Sequence, residues 1–150
     1  MTGSLVGGIH HLPVRVYFED TDLSGIVYHA NYLRFAERGR SDFLRAIGIN
    51  HADLAAAEEP IFWTLRRITV DYAKPARIDD LLEVRTVCDS FTGARLDMAQ
   101  AIWRGDECLV RLKVDAACIN PEGKPRRIPQ AALAALKALG EGEQGAQLLD

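Results

Sequence analysis

Two carboxylates, a glycine and a histidine fall close together in the run Glu19-Asp20-Thr21-Asp22-Leu23-Ser24-Gly25-Ile26-Val27-Tyr28-His29-Ala30-Asn31-Tyr32. A carboxylate such as Asp22 can attack an acyl group as a nucleophile or act as a general base toward water. His29 can orient the acyl group or a water, and its charge changes near neutral pH. Gly25 allows a tight turn and a close approach of backbone to substrate, which a side chain would obstruct. If a helix begins just after this run, its first N–H groups and its dipole favour a developing negative charge facing the carboxylate.

The elements on either side fit that arrangement. Residues 12–18 alternate in part and are rich in β-branched and aromatic side chains, which predicts a first strand. Tyr32, Phe35, Ala36, Gly39, Phe43, Ala46 and Ile47 recur at three- and four-residue steps, which predicts one long helix capped by Gly48. Leu33 and Leu44 widen its apolar stripe, so the helix should lie deep against a sheet. Gly39 costs about 1 kcal/mol of helix propensity relative to alanine, and close approach of the sheet backbone is the expected compensation.

Residues 51–59 read as a short helix or loop. Strands come next at 61–72, 81–91, 94–103 and 108–119, with Thr92-Gly93 and Gly105-Asp106 at the reversals of antiparallel hairpins. Leu96, Met98, Gln100 and Ile102 alternate with Asp97, Ala99, Ala101 and Trp103, so each strand has one more apolar face. Residues 121–129 form a proline-rich turn, and a short helix spans 129–139 with Pro129 at its start. The order predicts an α+β domain in which an antiparallel sheet of about five strands wraps one central helix. The domain boundaries expected are a loose, glycine-rich segment over residues 1–11, the domain over 12–139, and a polar, disordered tail over 140–150.

Composition narrows the function classes. A chain of 150 residues with 48% hydrophobic and 26% charged content suits one ordinary globular domain. A net charge of −3 argues against a nucleic-acid binder, which would more often be strongly basic. Cys88, Cys108 and Cys118 are odd in number and lack the short spacing of a metal site, which fits reduced thiols in a reducing compartment. There is no signal-peptide pattern and no run approaching roughly 20 apolar residues, so a cytoplasmic location is expected. No metal or cofactor is called for.

The segments Val14-Arg15-Val16-Tyr17-Phe18-Glu19-Asp20-Thr21-Asp22 and Gly25-Ile26-Val27-Tyr28-His29-Ala30-Asn31-Tyr32 closely resemble the acyl-CoA thioesterases of the YbgC and 4-hydroxybenzoyl-CoA thioesterase group. The resemblance continues through Ile68-Thr69-Val70-Asp71-Tyr72, Pro75-Ala76-Arg77-Ile78-Asp79-Asp80 and Lys124-Pro125-Arg126, covering residues 12–130 in family order. It implies the hotdog fold, assembly as a homodimer or homotetramer, and hydrolysis of an acyl-CoA substrate to free acid and coenzyme A. It also implies that Asp22 is the catalytic carboxylate, with the thioester oxygen held by backbone N–H groups around Tyr28 and His29. A histidine at position 29 resembles the branch that acts on short aliphatic esters. Acyl carrier protein is a further partner that the family suggests.

Each of these residues also has an ordinary structural role open to it. By residue type alone Asp22 is a turn or helix-capping aspartate, and Asp20 reads as a turn former bonded to backbone. His29 could be a partly buried histidine bonded to a carbonyl. Glu37, which another hotdog branch would use for catalysis, sits on a polar face beside Arg34, where ordinary helical pairing is expected. Lys74, Arg77, Lys124, Arg126 and Arg127 would suit the phosphates of coenzyme A if they converge at the sheet edge, and otherwise are solvated loop charges. The rival functions are a 3-hydroxyacyl thioester dehydratase or hydratase, whose histidine motif is not found, and a non-catalytic binder of acyl thioesters or of acyl carrier protein.

Overall fold

The structure, a computed structural model, describes residues 2–139. The elements in order are β1 (Ser4–Val6), β2 (Ile9–Arg15), α1 (Asn31–Ala46), α2 (His51–Ala56), β3 (Phe62–Tyr72), β4 (Leu81–Phe91), β5 (Arg95–Arg104), β6 (Glu107–Ile119), β7 (Pro125–Arg126) and α3 (Gln130–Ala138). Among the described residues the strands form one seven-stranded antiparallel sheet, ordered β1-β2-β4-β5-β6-β3, with β7 on β6. The expected α+β architecture is present, with two more strands than foreseen.

Helix α1 lies over β2 and β4. Its Phe35, Ala36, Phe43 and Leu44 join Leu12 and Val14 of β2, Leu82 and Val84 of β4, and the inner residues of β5 and β6 in one core. Phe35 and Phe43 are fully buried, and truncating either to alanine would cost about 3–5 kcal/mol. Gly48 closes the helix as expected, in the left-handed region at φ 88°, its N–H donating to the Arg45 carbonyl at 3.0 Å.

The reason for Gly39 differs from the expectation. A Cβ there would stand 2.6 Å from Val84 Cγ1, 3.1 Å from Thr86 Oγ1 and 3.2 Å from Gln100 Nε2. The sheet's side chains fill the space, rather than its backbone. Beneath the glycine lies a polar layer. Gln100 Nε2 donates to the Ala36 carbonyl (2.8 Å) and to Thr86 Oγ1 (2.9 Å), while Arg40 Nη1 donates to Gln100 Oε1 (3.0 Å). Each polar group buried here has a partner, as burial requires. Arg40 is buried although charged, and Ala46, placed on the apolar face by its spacing, is exposed.

The N-terminal segment also departs from the expectation of a loose residues 1–11. Gly7 and Gly8, both at positive φ, reverse the chain so that Ser4–Val6 pairs with residues 9–11. The Gly3 N–H donates to Asp42 Oδ2 of α1 (2.9 Å), and buried His10 contacts the same oxygen through Nε2 (2.7 Å). Glycine content here encodes a hairpin. The first long strand is therefore Ile9–Arg15 rather than 12–18, and Phe18–Asp20 is a 3-10 turn. α2 settles residues 51–56 as helix, capped by Asn50 Oδ1 accepting from the Asp53 N–H (3.1 Å). The short β7 is the other extra strand, hidden in the proline-rich turn. The tail expected over 140–150 lies outside the described residues.

Candidate active site

Asp20 ties the loop before α1 at both ends. Its Oδ2 accepts from the Tyr17 N–H (2.8 Å), its Oδ1 from Asn31 Nδ2 (2.9 Å), and its carbonyl from the Tyr28 N–H (2.8 Å). Asp20 is the buried turn former expected of it. Between these ties the chain makes a small two-stranded loop. The Asp22 N–H donates to the Ile26 carbonyl (3.1 Å), and the Gly25 N–H donates to the Asp22 carbonyl (3.0 Å). Gly25 has φ 82°, a value that a side chain would strain. Bridges from Thr21 to Val27 and from Ile26 to Arg77 dock the loop against residues 76–77, where the Val27 N–H donates to the Ala76 carbonyl (2.9 Å).

The Asp22 carboxylate is fully exposed at the loop's tip. Ser24 holds its Oδ1 with both its N–H (2.8 Å) and its hydroxyl. The Ser24 hydroxyl first, then the Ser24 N–H, keep the carboxyl below the usual aspartate range, with the charge of His29 adding a smaller pull. Asp22 is therefore ionised at neutral pH and electrostatically linked to His29.

His29 stands just ahead of α1. Its ring lies between Tyr28, at 4.6 Å centroid to centroid, and Tyr72, at 6.4 Å edge-on. Its carbonyl accepts from the Tyr72 hydroxyl at 2.9 Å, which ties the start of α1 to the end of β3. The Tyr32 hydroxyl accepts from the Ala76 N–H at 2.9 Å, and its ring meets Tyr72 at 5.6 Å. Ile26, Val27, His29, Tyr32, Tyr72 and Pro75 line a cleft of about 270 Å³. The N–H groups of His29 and Ala30 have no acceptor among the described residues. The Tyr28 N–H does have one, the Asp20 carbonyl, and so cannot be the open donor that the sequence suggested.

The five basic candidates do not converge within one chain. Arg77 sits at the lip of the loop, beside Ile26. Lys74 borders the cleft but is paired with Glu107 at 2.9 Å. Arg126 pairs with Cys118 at the opposite end of β6, and Lys124 and Arg127 flank it. Since Phe62 of β3 pairs with Ile119 and Tyr72 with Val110, these three lie at the end of the sheet remote from His29. Glu37 forms no ion pair with Arg34 among the described residues and borders two hollows beside α1.

Sequence reasoning missed Ser24, Tyr72 and Tyr32. A serine two residues after Asp22 is the spacing at which an aspartate side chain accepts from the following backbone, a signal that was available. Tyr72 carried none, because its contact with His29 spans the sheet.

Comparison with known proteins places these features among relatives. The family model described as the thioesterase superfamily matches residues 24–110. The acyl-CoA thioester hydrolase YbgC of Escherichia coli is 40% identical over 127 residues, spanning 83% of this chain and 93% of the relative. The acyl-CoA thioesterase YbgC of Haemophilus influenzae is 37% identical over 128 residues, spanning 85% and 93%. Among solved structures, a probable thioesterase from Bartonella henselae is 48% identical with a TM-score of 0.79, covering 81% of this chain and 99% of that one. A 1,4-dihydroxy-2-naphthoyl-CoA thioesterase from Synechocystis, at 22% identity and a TM-score of 0.79, covers 87% and 96% and shares the fold.

Proposed function

The chain belongs to the thioesterase superfamily, and from that membership we propose that it hydrolyses acyl-CoA thioesters to the free acid and coenzyme A, with Asp22 as the attacking group. The observation that carries this reading is the pairing of an ionised, exposed carboxylate with two acceptor-less N–H groups at the start of α1. The thioester oxygen is received by the His29 and Ala30 N–H groups, where the helix dipole stabilises the charge that develops on it. One such donor is worth about 10²- to 10³-fold in rate. The His29 side chain packs between two tyrosines, so its part is to fix the backbone that carries this donor.

Asp22 Oδ2 attacks the carbonyl carbon, the C–S bond breaks, and coenzyme A departs as its thiolate. The resulting mixed anhydride is hydrolysed by water, which returns the carboxylate and frees the acid. Nucleophilic attack is the route we favour, because Ser24 holds Oδ1 and leaves Oδ2 free to face the carbonyl carbon. A single turnover in ¹⁸O-labelled water separates the two: water that opens the anhydride at the Asp22 carbonyl leaves the label in Asp22 and none in the product acid, whereas water activated by Asp22 carries the label into the product acid and none into Asp22.

Arg77 and Lys74 stand where the phosphates of coenzyme A would leave the cleft. Lys124, Arg126 and Arg127 reach that place only from a second copy of the chain. Esters of coenzyme A and of acyl carrier protein, assayed side by side, identify the carrier. Asp22→Asn is expected to fold as the parent does and to lose about 10³-fold or more of thiol release. A folded Asp22→Asn protein with the parent rate would overturn the assignment.

A further inference from the structure

A second hollow lies on the β3 side of α1, at the end remote from His29. It has a volume of about 80 Å³, and its apolar walls include Leu44, Met98 and Ala116. Glu37, Arg40, Trp63, Thr64, and Ser41 with His51 supply its polar groups. A water's share of liquid volume is about 30 Å³, so the space suits a terminal hydroxyl or carboxylate rather than a whole substrate.

Ser41 and His51 spend their polar groups on each other, whereas Arg40 does not. Arg40 is 8% exposed and uses one donor on Gln100 Oε1, at 3.0 Å. Its other guanidinium nitrogens are not among the sealed, unpartnered polar atoms, so they open onto the hollow that Arg40 lines. Glu37 acts on Arg40 through its charge without forming an ion pair with it. Trp63 Nε1 is sealed with no partner among the described residues and does not open onto the hollow, and Ser41 Oγ and His51 Nε2 are hydrogen-bonded to each other at 3.0 Å, so the open donors are those of Arg40. Buried donors left open in this way cost free energy unless a ligand supplies acceptors.

The two hollows lie at opposite ends of the seam between α1 and β3. The cleft at His29 touches Tyr72, the last residue of β3, and the second hollow touches Trp63 near its first. Between them α1 packs on β2 and β4 instead of β3, and Leu33, Ile68 and Val70 stay only partly buried. From His29 to Arg40 the distance along the helix is roughly 15 Å. An acyl chain whose carbonyl rests on the His29 N–H would run along this seam toward Arg40.

We infer that Arg40 selects acyl groups carrying an acceptor oxygen at the far end of the chain, an ω-hydroxyl or an ω-carboxylate, over equally long chains ending in methyl. The inference rests on the thioesterase reading for the direction of the substrate. A carboxylate would take the paired donors of the guanidinium side by side, and a hydroxyl would accept from one of them. A terminal methyl leaves all of them unmet.

The test uses coenzyme A esters matched in length and ending in methyl, hydroxyl or carboxylate. Thiol release is measured with the parent, Arg40→Met and Arg40→Lys proteins, and equilibrium binding with the same set carrying Asp22→Asn. The parent is expected to favour one oxygen-ended ester by about 10- to 100-fold in kcat/KM and in affinity. Arg40→Met should bring that ratio near one, and Arg40→Lys should lower it while retaining the charge. The preferred terminus identifies hydroxyl or carboxylate. No preference in the parent, or the same preference in both variants, overturns the inference. Release from every ester without preference does so while leaving the hydrolase reading intact. A binding preference that disappears in the variants, with no thiol release from any ester, supports Arg40 and removes the hydrolase reading. If Arg40→Met does not fold, Arg40→Lys decides.

Discussion

At the scale of single residues, the state of Asp22 depends on its neighbour two positions on. Ser24 holds one carboxylate oxygen twice, and this lowers the pH at which Asp22 takes up a proton. A depressed value keeps the group charged to lower pH, so the acid limb of the rate profile lies below the ordinary aspartate value of 3.8. Ser24→Ala removes the larger cause and should move that limb upward, toward 3.8, with little change in rate at neutral pH. A pH profile of kcat/KM checks it, and an unmoved limb would mean that Ser24 does not tune the carboxylate. Asp22, Gly25 and His29 were legible in the sequence because a turn, a carboxylate and a helix start leave local marks. That the Tyr28 N–H is taken by Asp20 was not legible, since it depends on how the loop closes on itself.

At the scale of elements, α1 is the part on which both ends of the seam depend. Its apolar rhythm predicted its limits within a residue or two, whereas the burial of Arg40 left no mark in that rhythm. Only a sheet offering Gln100 beneath explains it. Gly39 was noticed for its propensity, but the side chains it faces come from β4 and β5 and cannot be read along the helix. Gly39→Val should therefore destabilise the protein by about 1–3 kcal/mol through overpacking, although helix propensity alone would favour the change. Urea unfolding measures it, and an unchanged midpoint would show that Val84 and Thr86 yield without cost. The N-terminal hairpin escaped notice for a related reason. Its glycines permit a turn, but the hairpin is pinned by Asp42, which binds Gly3 and His10 from a helix more than 30 residues away in the chain.

At the scale of the whole molecule, β3 stands at the edge of the sheet, eleven residues long, with Phe62, Leu65 and Tyr72 exposed. An edge of that length with apolar side chains invites pairing with a second copy. Light scattering at micromolar concentration should give a homo-oligomer, and Leu65→Lys should shift it toward monomer. A parent that scatters as a monomer would exclude the pairing. The strand order carries a further consequence, in time rather than in space. β4, β5 and β6 succeed one another through tight turns, so each join closes a short loop. β2 meets β4, and β3 meets β6, only across long stretches of chain, and the first of these closures must carry α1 with it. The loop bearing Asp22 hangs between β2 and α1 and is bridged to Arg77, just ahead of β4. Its own hydrogen bonds are local, but it is not docked against residues 76–77 until that closure is made, so the cleft beside His29 is expected to be completed late as the chain folds.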